Sequence, residues 1–303
     1  MISFIIPAKN VSLYIKDCLF PFISYKGEIE FEVIIVDDGS TDDTLQLLLE
    51  LEVQNNFLKI FQNPFKGKVE ALNFGYSKSK GSLIKCIDSD DVISIDLLNI
   101  LSNQKVDESI FHDGTITDQY LNHITYFSSN SKIVNASYND VVKHIISPPR
   151  WAWSFSRNIG DKIFPMPKEI PYEDIWFAFS IKKYSTALTY LPKSYYLYRQ
   201  HDNQTFGGVM NFGEEKVRFR ANRFLTLLPI IKSSHLGENL PVNLFNTNIS
   251  FFEYIAKNKW KMKDFLKLEN TKSNKLRFFL ILFYPKIAGK LLEINWKLRK
   301  KIK

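Results

Sequence analysis

Cysteine is scarce in this chain. Cys18 and Cys86 are the only two among 303 residues. They make no disulfide framework and have no metal-ligand spacing, so a disulfide-stapled scaffold and a thiolate metal site are excluded, and a reducing compartment fits. The opening residues, MISFIIPAKN, have neither a basic n-region nor a long apolar h-region; they read as a first strand rather than as a signal peptide. A spanning helix is missing from the tail as well. Its apolar run, Phe278 to Tyr284, is far short of the ~20 residues a bilayer requires, and Pro285 interrupts it. There is no convincing internal repeat or low-complexity tract. The body has no repeated Lys/Arg–aromatic platforms, which argues against nucleic acid as a partner.

What is present points to a packed globular protein. Hydrophobic residues make up 45% of the chain and aromatics 15%, enough for a core and too much for wholesale disorder. The net charge of +8 is local: residues 272–303 hold ten Lys or Arg against one acid, Glu293, and the remainder is close to neutral. Apolar runs of strand length occur at 2–6, 31–36, 58–61 and 83–87, and helical patterns lie between them at about 11–25, 43–54 and 67–79. Near-continuous apolar strands alternating with helices predict a parallel α/β sheet covered on both faces, with ligands at the carboxyl ends of the strands. Beyond residue 100 the pattern loosens into short extended segments. Helix is expected again after Pro171, from Glu214 to about Leu228, and in the aromatic stretch SFFEYIAKNKWKMKDFLK.

The predicted strand ends carry polar clusters. Pro7, Ala8, Lys9 and Asn10 follow the first strand, Asp37-Asp38-Gly39-Ser40-Thr41 the second, and Asp88-Ser89-Asp90-Asp91 a later one. All three converge on one rim. Crowded carboxylates raise one another's pKa, so such a cluster needs an answering cation or exposure to water. A divalent cation, a phosphate-accepting Asp, or a solvated turn capping a helix near Ile95 each satisfies that demand. For Asp37-Asp38 the local alternative is a turn and cap ahead of the 43–54 helix, with Ser40 or Asp42 doing the capping.

The segments FIIPAKN, VIIVDDGSTDDT, KVEALNFGYSKSKGSLIKCIDSDD, YEDIWF and YRQHDNQT, in that order, resemble those of inverting nucleotide-sugar glycosyltransferases of family 2, over about residues 1–205. The resemblance implies a GT-A fold: a nucleotide-binding, mostly parallel sheet flanked by helices. A nucleotide-binding half would span 1–100 and an acceptor half 101–205, followed by a helical C-terminal region, 206–303, with a basic amphipathic tail at 272–303. It implies nucleotide contacts at Pro7, Ala8, Asn10, Asp38, Lys68, Asn73, Asp88 and Ser89, with Lys66 also near the phosphates. Asp90, with His201, would hold Mn²⁺ or Mg²⁺, and Asp174 would be the general base. Trp151, Trp153, Glu173 and Arg199 are candidates for acceptor or phosphate contacts, although large aromatics in a connecting loop also serve simply as packing. Where the family carries Arg before the Asn of its A-R-N segment, this chain has Leu72, and Lys85 stands in a strand expected to be buried.

The implied reaction moves a sugar from a nucleotide diphosphate donor, UDP foremost, to a hydroxyl of a saccharide or lipid-linked glycan in surface polysaccharide or glycoconjugate synthesis. Two other readings compete. Strand-D-x-D-x-V also opens haloacid-dehalogenase-type phosphatases, with Asp88 as nucleophile and Asp90 as acid, but there it follows the first strand. The basic tail alone would suit a non-catalytic membrane-surface protein. That tail mixes apolar bulk with Lys and Arg, which fits a helix lying on an anionic bilayer, hence a cytoplasmic protein peripheral on the inner face of the membrane. A helix docked on the body with a solvated basic face is the alternative.

Overall fold

The computed structural model describes residues 1–201, 214–257, 259–270, 272–288 and 290–291. Strand β1 (Ile2–Ala8) is followed by helix α1 (Ile15–Ile23), β2 (Phe31–Asp37), α2 (Thr44–Gln54), β3 (Leu58–Gln62), α3 (Lys68–Lys78) and β4 (Leu83–Cys86). Each expected strand and helix of this half is present, within a few residues at each end. All seven residues of β1 are buried, as its run of apolar side chains requires of a strand covered on both faces. The pairs β1–β2, β2–β3 and β1–β4 are parallel.

Strand order in this half is β3-β2-β1-β4. The chain therefore winds outward from β1 through β2 and β3, then returns to the other side of β1 for β4. That reversal leaves a crevice at the carboxyl ends of β1 and β4, the place where open α/β sheets take their ligands. Helix α3 lies close on the sheet because Gly75 lets it: a Cβ there would stand 2.6 Å from Ile5 Cγ2.

After residue 90 come β5 (Val92–Ile93), α4 (Leu97–Leu101), β6 (Glu108–Thr117), β7 (His123–Phe127), α5 (Tyr138–His144), β8 (Trp153–Ser156), α6 (Arg157–Ile163), α7 (Glu173–Tyr184) and β9 (Ala187–Arg199). The same sheet continues as β4-β8-β6-β9-β5, with β7 on β6, giving nine strands among the described residues. Here the expected parallel character changes: β8 runs antiparallel to both β4 and β6, and only β6–β9 is parallel. Only β6 and β7 are joined by a short turn; β8 reaches its antiparallel place between β4 and β6 after α5.

The C-terminal region is helical: α8 (Glu214–Ser233), α9 (Val242–Ala256), α10 (Met262–Lys267) and α11 (Lys272–Phe283). One hydrophobic core runs from the sheet into these helices. The rings of Phe224 and Phe252 stack at 4.3 Å, and Phe278 meets Phe251 at 5.4 Å. Phe279 and Phe283 lie about Phe265, while Ile281 and Leu282 are buried. One face of the tail helix is therefore docked on the body, as the second reading of the tail requires. Leu276, Tyr284, Ile287 and Leu291 stay exposed. Each well-buried apolar side chain contributes roughly 1.5–3 kcal/mol, so α11 is part of the folded unit. The boundary near residue 205, the end of the YRQHDNQT segment and the tail beyond residue 291 lie outside the described residues.

Candidate active site

At the tips of β1 and β2 the polar clusters first hold one another. Asp38 N–H donates to the Ala8 carbonyl at 2.8 Å. Asn10, in the left-handed region at φ 52°, accepts from Thr41 N–H through its side chain and donates its own N–H to Ser40 Oγ. Asp37 accepts the N–H groups of Gly39 and Ser40, closing a tight turn. Ser40 thus serves the loop, and Asp42 takes the Thr44 N–H at the start of α2. Partial burial works against the Asp42 charge, but hydrogen bonds from Thr44 and Ser12 outweigh it and bring its pKa down to about 2.

Asp38 Oδ1 accepts from Asn63 Nδ2 at 2.7 Å and from Gly67 N–H at 2.8 Å. Gly67 has φ +100°, a conformation other residues adopt only with strain, so glycine lets that N–H turn toward the carboxylate. Asp38 thereby anchors the loop that launches α3 and its first residue, Lys68. Asp38 Oδ2 stands 3.5 Å from Lys9 Nζ.

The aspartates after β4 divide three ways. Asp88 is held by two cations: Lys68 Nζ at 2.8 Å from Oδ1, and Arg150 Nη2 in a short contact with the same oxygen. Burial disfavours its charge, yet Arg150 and Lys68 together hold its pKa near 2. Asp91 turns inward, fully buried, and accepts the Arg199 N–H at 2.7 Å. Burial, then the charges of Asp90 and Asp88, push its pKa well up. Asp90 faces His201, with Nε2 3.0 Å from Oδ2. The His201 ring lies 4.5 Å from that of Tyr14, and its Nδ1 is buried with no partner among the described residues.

Across the cleft, α7 begins with Glu173 and Asp174. Glu173 Oε1 is 3.2 Å from Lys68 Nζ and 4.0 Å from Arg150 Nε. Lys68 and Arg150 thus sit among Asp88 and Glu173 as two cations between two anions. Burial would raise the Glu173 pKa, but those two cations lower it. Asp174 has a different surrounding. Among the described residues its Oδ1 accepts only the main-chain N–H of Arg150, at 2.7 Å. Burial, reinforced by the Glu173 charge, raises its pKa to about 6. Two adjacent carboxyls with pKa values pushed apart are the pattern of an acid–base pair with separate tasks. Lys68, Asp88, Arg150, Tyr172, Glu173 and Asp174 line a cleft of about 330 Å³.

Other sequence candidates lie elsewhere or are engaged. Arg199 is not a phosphate contact: it is 2% exposed, and its guanidinium binds Asp17 Oδ2 and the carbonyls of Asp90 and Gln119. It fastens the aspartate loop to β9 and α1. Asn73 is engaged in holding the main chain, since its amide both donates to and accepts from Met166 at 2.8 Å. Trp151 is 4% exposed and stacked flat on Tyr196 at 4.5 Å; Trp153 is fully buried against Phe111. Neither offers a free face to a sugar. Pro7 and Ala8 close β1 at the crevice, and Ser89 is buried between the aspartates.

Arg150 was not singled out by sequence. Its signal was present in SPPRWAW: a single cation among prolines and large aromatics. It is 1% exposed, and its Nε and Nη1 have no hydrogen-bond partner among the described residues. The buried Lys85 accounts for how that loop is held. Its Nζ donates to the carbonyls of Trp151 at 2.9 Å and Trp153 at 3.3 Å. Nζ also lies 2.9 Å from His112 Nε2. His112 Nδ1 meets the Asp113 carbonyl at 2.7 Å and must donate there, so Nε2 accepts from Lys85. Lys85 therefore ties β4 to the turn that carries Arg150.

Comparison with known proteins agrees with this architecture. Residues 3–144 match the family model described as Glycosyl transferase family 2. Glycosyltransferase GlyG of Streptococcus pneumoniae is 30% identical over 105 residues, covering 34% of this chain and 35% of that protein. A poly-beta-1,6-N-acetyl-D-glucosamine synthase of Staphylococcus aureus is 32% identical over 95 residues, covering 31% of this chain and 23% of that protein. The matched stretch thus spans about a third or less of these relatives. Among solved structures, S. aureus TarS 1-349 in complex with UDP-GlcNAc superposes with a TM-score of 0.57 at 19% identity, covering 95% of this chain and 83% of that one. The mannosyltransferase PcManGT of Pyrobaculum calidifontis, in complex with GDP-Man and Mn2+, gives 0.56 at 15% identity, covering 98% and 79%. At these identities the likeness concerns the fold, which is of the GT-A type. The family match covers residues 3–144, and the likeness of fold extends over nearly all of the chain.

Proposed function

We propose that this chain transfers a sugar from a nucleotide diphosphate donor, UDP foremost, to a hydroxyl of a saccharide or lipid-linked glycan, with inversion by single displacement. The observation that carries the reading is Asp174: a carboxylate at the cleft, held by one main-chain N–H, with its pKa raised to about 6. Such a group is ionised at neutral pH and still basic enough to accept a proton from a hydroxyl as its oxygen attacks. Asp88 and Glu173, neutralised by Lys68 and Arg150, remain ionised and do not compete for that proton. Arg150 adds positive charge to the lining of the cleft, which suits a diphosphate. UDP-GlcNAc in the TarS structure supports a nucleotide-sugar donor here.

The residues present fit a divalent cation. Asp90 and His201 bring an oxygen and a nitrogen donor within 3.0 Å of each other, and the other ring nitrogen of His201 has no hydrogen-bond partner among the described residues. No cluster of three protein ligands occurs among the described residues, so phosphate oxygens and water would complete the shell. An imidazole beside a carboxylate suits Mn²⁺ better than Mg²⁺. When bound, the ion would stabilise charge on the departing diphosphate. Calorimetry with UDP and Mn²⁺ tests the donor site. Asp90→Ala should abolish the metal-dependent part of binding and leave the fold intact; affinity equal to wild type would remove Asp90 from the site.

A phosphatase reading is disfavoured by position, since the aspartates follow the fourth strand rather than the first. We place the chain at the cytoplasmic face of a membrane, through an anionic bilayer surface. No described helix is long and apolar enough to cross a membrane. Leu276, Tyr284, Ile287 and Leu291 form an exposed apolar stripe on a tail rich in Lys and Arg. Cutting at residue 271 would strip Phe278, Phe279, Ile281 and Leu282 from the core, so point changes are the better probe. Leu276→Glu with Ile287→Glu should reduce co-sedimentation with anionic vesicles several-fold at low salt; unchanged co-sedimentation would reject the membrane assignment.

A further inference from the structure

The turn Arg150–Ala152 serves the cleft twice. Its Arg150 N–H goes to Asp174 Oδ1 at 2.7 Å, and its Arg150 guanidinium reaches Asp88 and Glu173. Little inside the turn holds it in that place. It is one short 3-10 turn, closed by the Ala152 N–H on the Pro149 carbonyl at 3.0 Å. Pro148 and Pro149 precede it and bring no N–H. Support comes from outside, through the buried Lys85 on β4. Its Nζ takes the Trp151 carbonyl within the turn and the Trp153 carbonyl just after it. His112 on β6 is the third acceptor, with its tautomer set by the Asp113 carbonyl. One amine thus joins β4, β6, β8 and the turn. An apolar side chain would fill this core position without the cost of desolvating an amine. That cost, with the Arg150 charge adding to it and Cys86 opposing it, lowers the Lys85 pKa to about 7. A neutral amine keeps two hydrogens, enough for both carbonyls, so the hold does not require the ammonium form.

We infer that Lys85, with His112, is a positioning residue for Asp174: it fixes the 150–152 turn so that the Arg150 N–H stays on the carboxylate. This rests on the reading of Asp174 as the base of a glycosyl transfer. The charged groups about Asp174 are Glu173 on its own helix, Arg150 on the turn, Lys68 on α3 and Arg223 on α8. Glu173 favours the protonated form of Asp174. The Arg150 N–H and the Arg150 charge both favour the ionised form. A loosened turn therefore acts with one sign, and the proton affinity of Asp174 rises.

The test reads that titration directly, by ¹³C NMR of the full chain labelled at the aspartate carboxyls, with Asp174→Asn to assign the signal. Lys85→Met keeps the length of the side chain and removes the donor. Its Asp174 midpoint should rise by about one pH unit, the scale of one lost hydrogen bond to a charged group. The acid limb of the turnover profile should rise with it. His112→Leu removes one acceptor of three and should move both in the same direction by less; it takes over the test if Lys85→Met does not fold. Leu48→Ala, a buried change on α2 at the β3 side of the sheet, should lower the melting temperature and leave the midpoint in place. An unmoved midpoint in folded Lys85→Met or His112→Leu, whatever the loss of stability, would overturn the inference and leave Lys85 a packing residue. A midpoint that moves as much in Leu48→Ala would overturn it too. If the midpoint moves as expected but the wild type transfers no sugar, the reading of Asp174 as a base fails while the hold of Lys85 on Asp174 stands.

Discussion

Asp174→Asn should lower turnover by on the order of 10²–10⁴, the usual contribution of a positioned base. The amide keeps the shape and can still accept the Arg150 N–H through its oxygen, so the fold and UDP affinity should survive. The wild-type pH profile supplies an independent check. A base must be unprotonated to act, and burial beside Glu173 raises the Asp174 pKa to about 6. Activity should therefore be full above that value and decline as pH falls through it. In the Asn variant that acid limb should disappear from the residual rate. Product configuration is the third reading: one displacement inverts the anomeric carbon, and NMR of the product reports it. A variant within tenfold of wild type, or a retained anomer, would return Asp174 to the role of a helix-start carboxylate favoured by the dipole of α7.

Arg150→Met should be the most damaging single change to stability. The guanidinium is buried and pairs with both Asp88 and Glu173. Removing one partner of a buried charge pair leaves the other uncompensated, at about 3–5 kcal/mol. Lys68, more exposed than Arg150, would be left to answer two carboxylates. A fall in melting temperature of roughly ten degrees is expected for a chain of this size. Donor binding should weaken as well, since Asp88 loses its anchor and the cleft loses a positive charge together. Arg150→Lys should recover part of the stability but not the forked geometry. Should the Met variant melt within about two degrees of wild type, the charge cluster would be only a surface network worth little.

The alternation of strands and helices through residue 90 was legible because it rests on local periodicity. Buried parallel strands need unbroken apolar runs, and the helices between them need a helical repeat; neither depends on knowing the partner. The polar residues at the ends of β1, β2 and β4 could be assigned to one rim for the same reason. The start of α7 also read correctly from Pro171 and the acidic pair that follows.

Roles within the rim were decided by contacts far apart in the chain. Asp88, Asp90 and Asp91 are nearly adjacent in sequence, yet one meets Lys68 and Arg150, one His201, and one the Arg199 main chain. Arg199 and Arg150 are both single cations beside aromatic residues. Only tertiary packing turns the first inward to Asp17 and the second toward Asp88 and Glu173. Lys85 stood out as an oddity in a buried strand; the His112 nitrogen and two carbonyls that satisfy it come from residues 27 to 68 positions away. Periodicity records which side of an element is buried. It does not record which partner waits there, and for buried charges the partner sets both the pKa and the task.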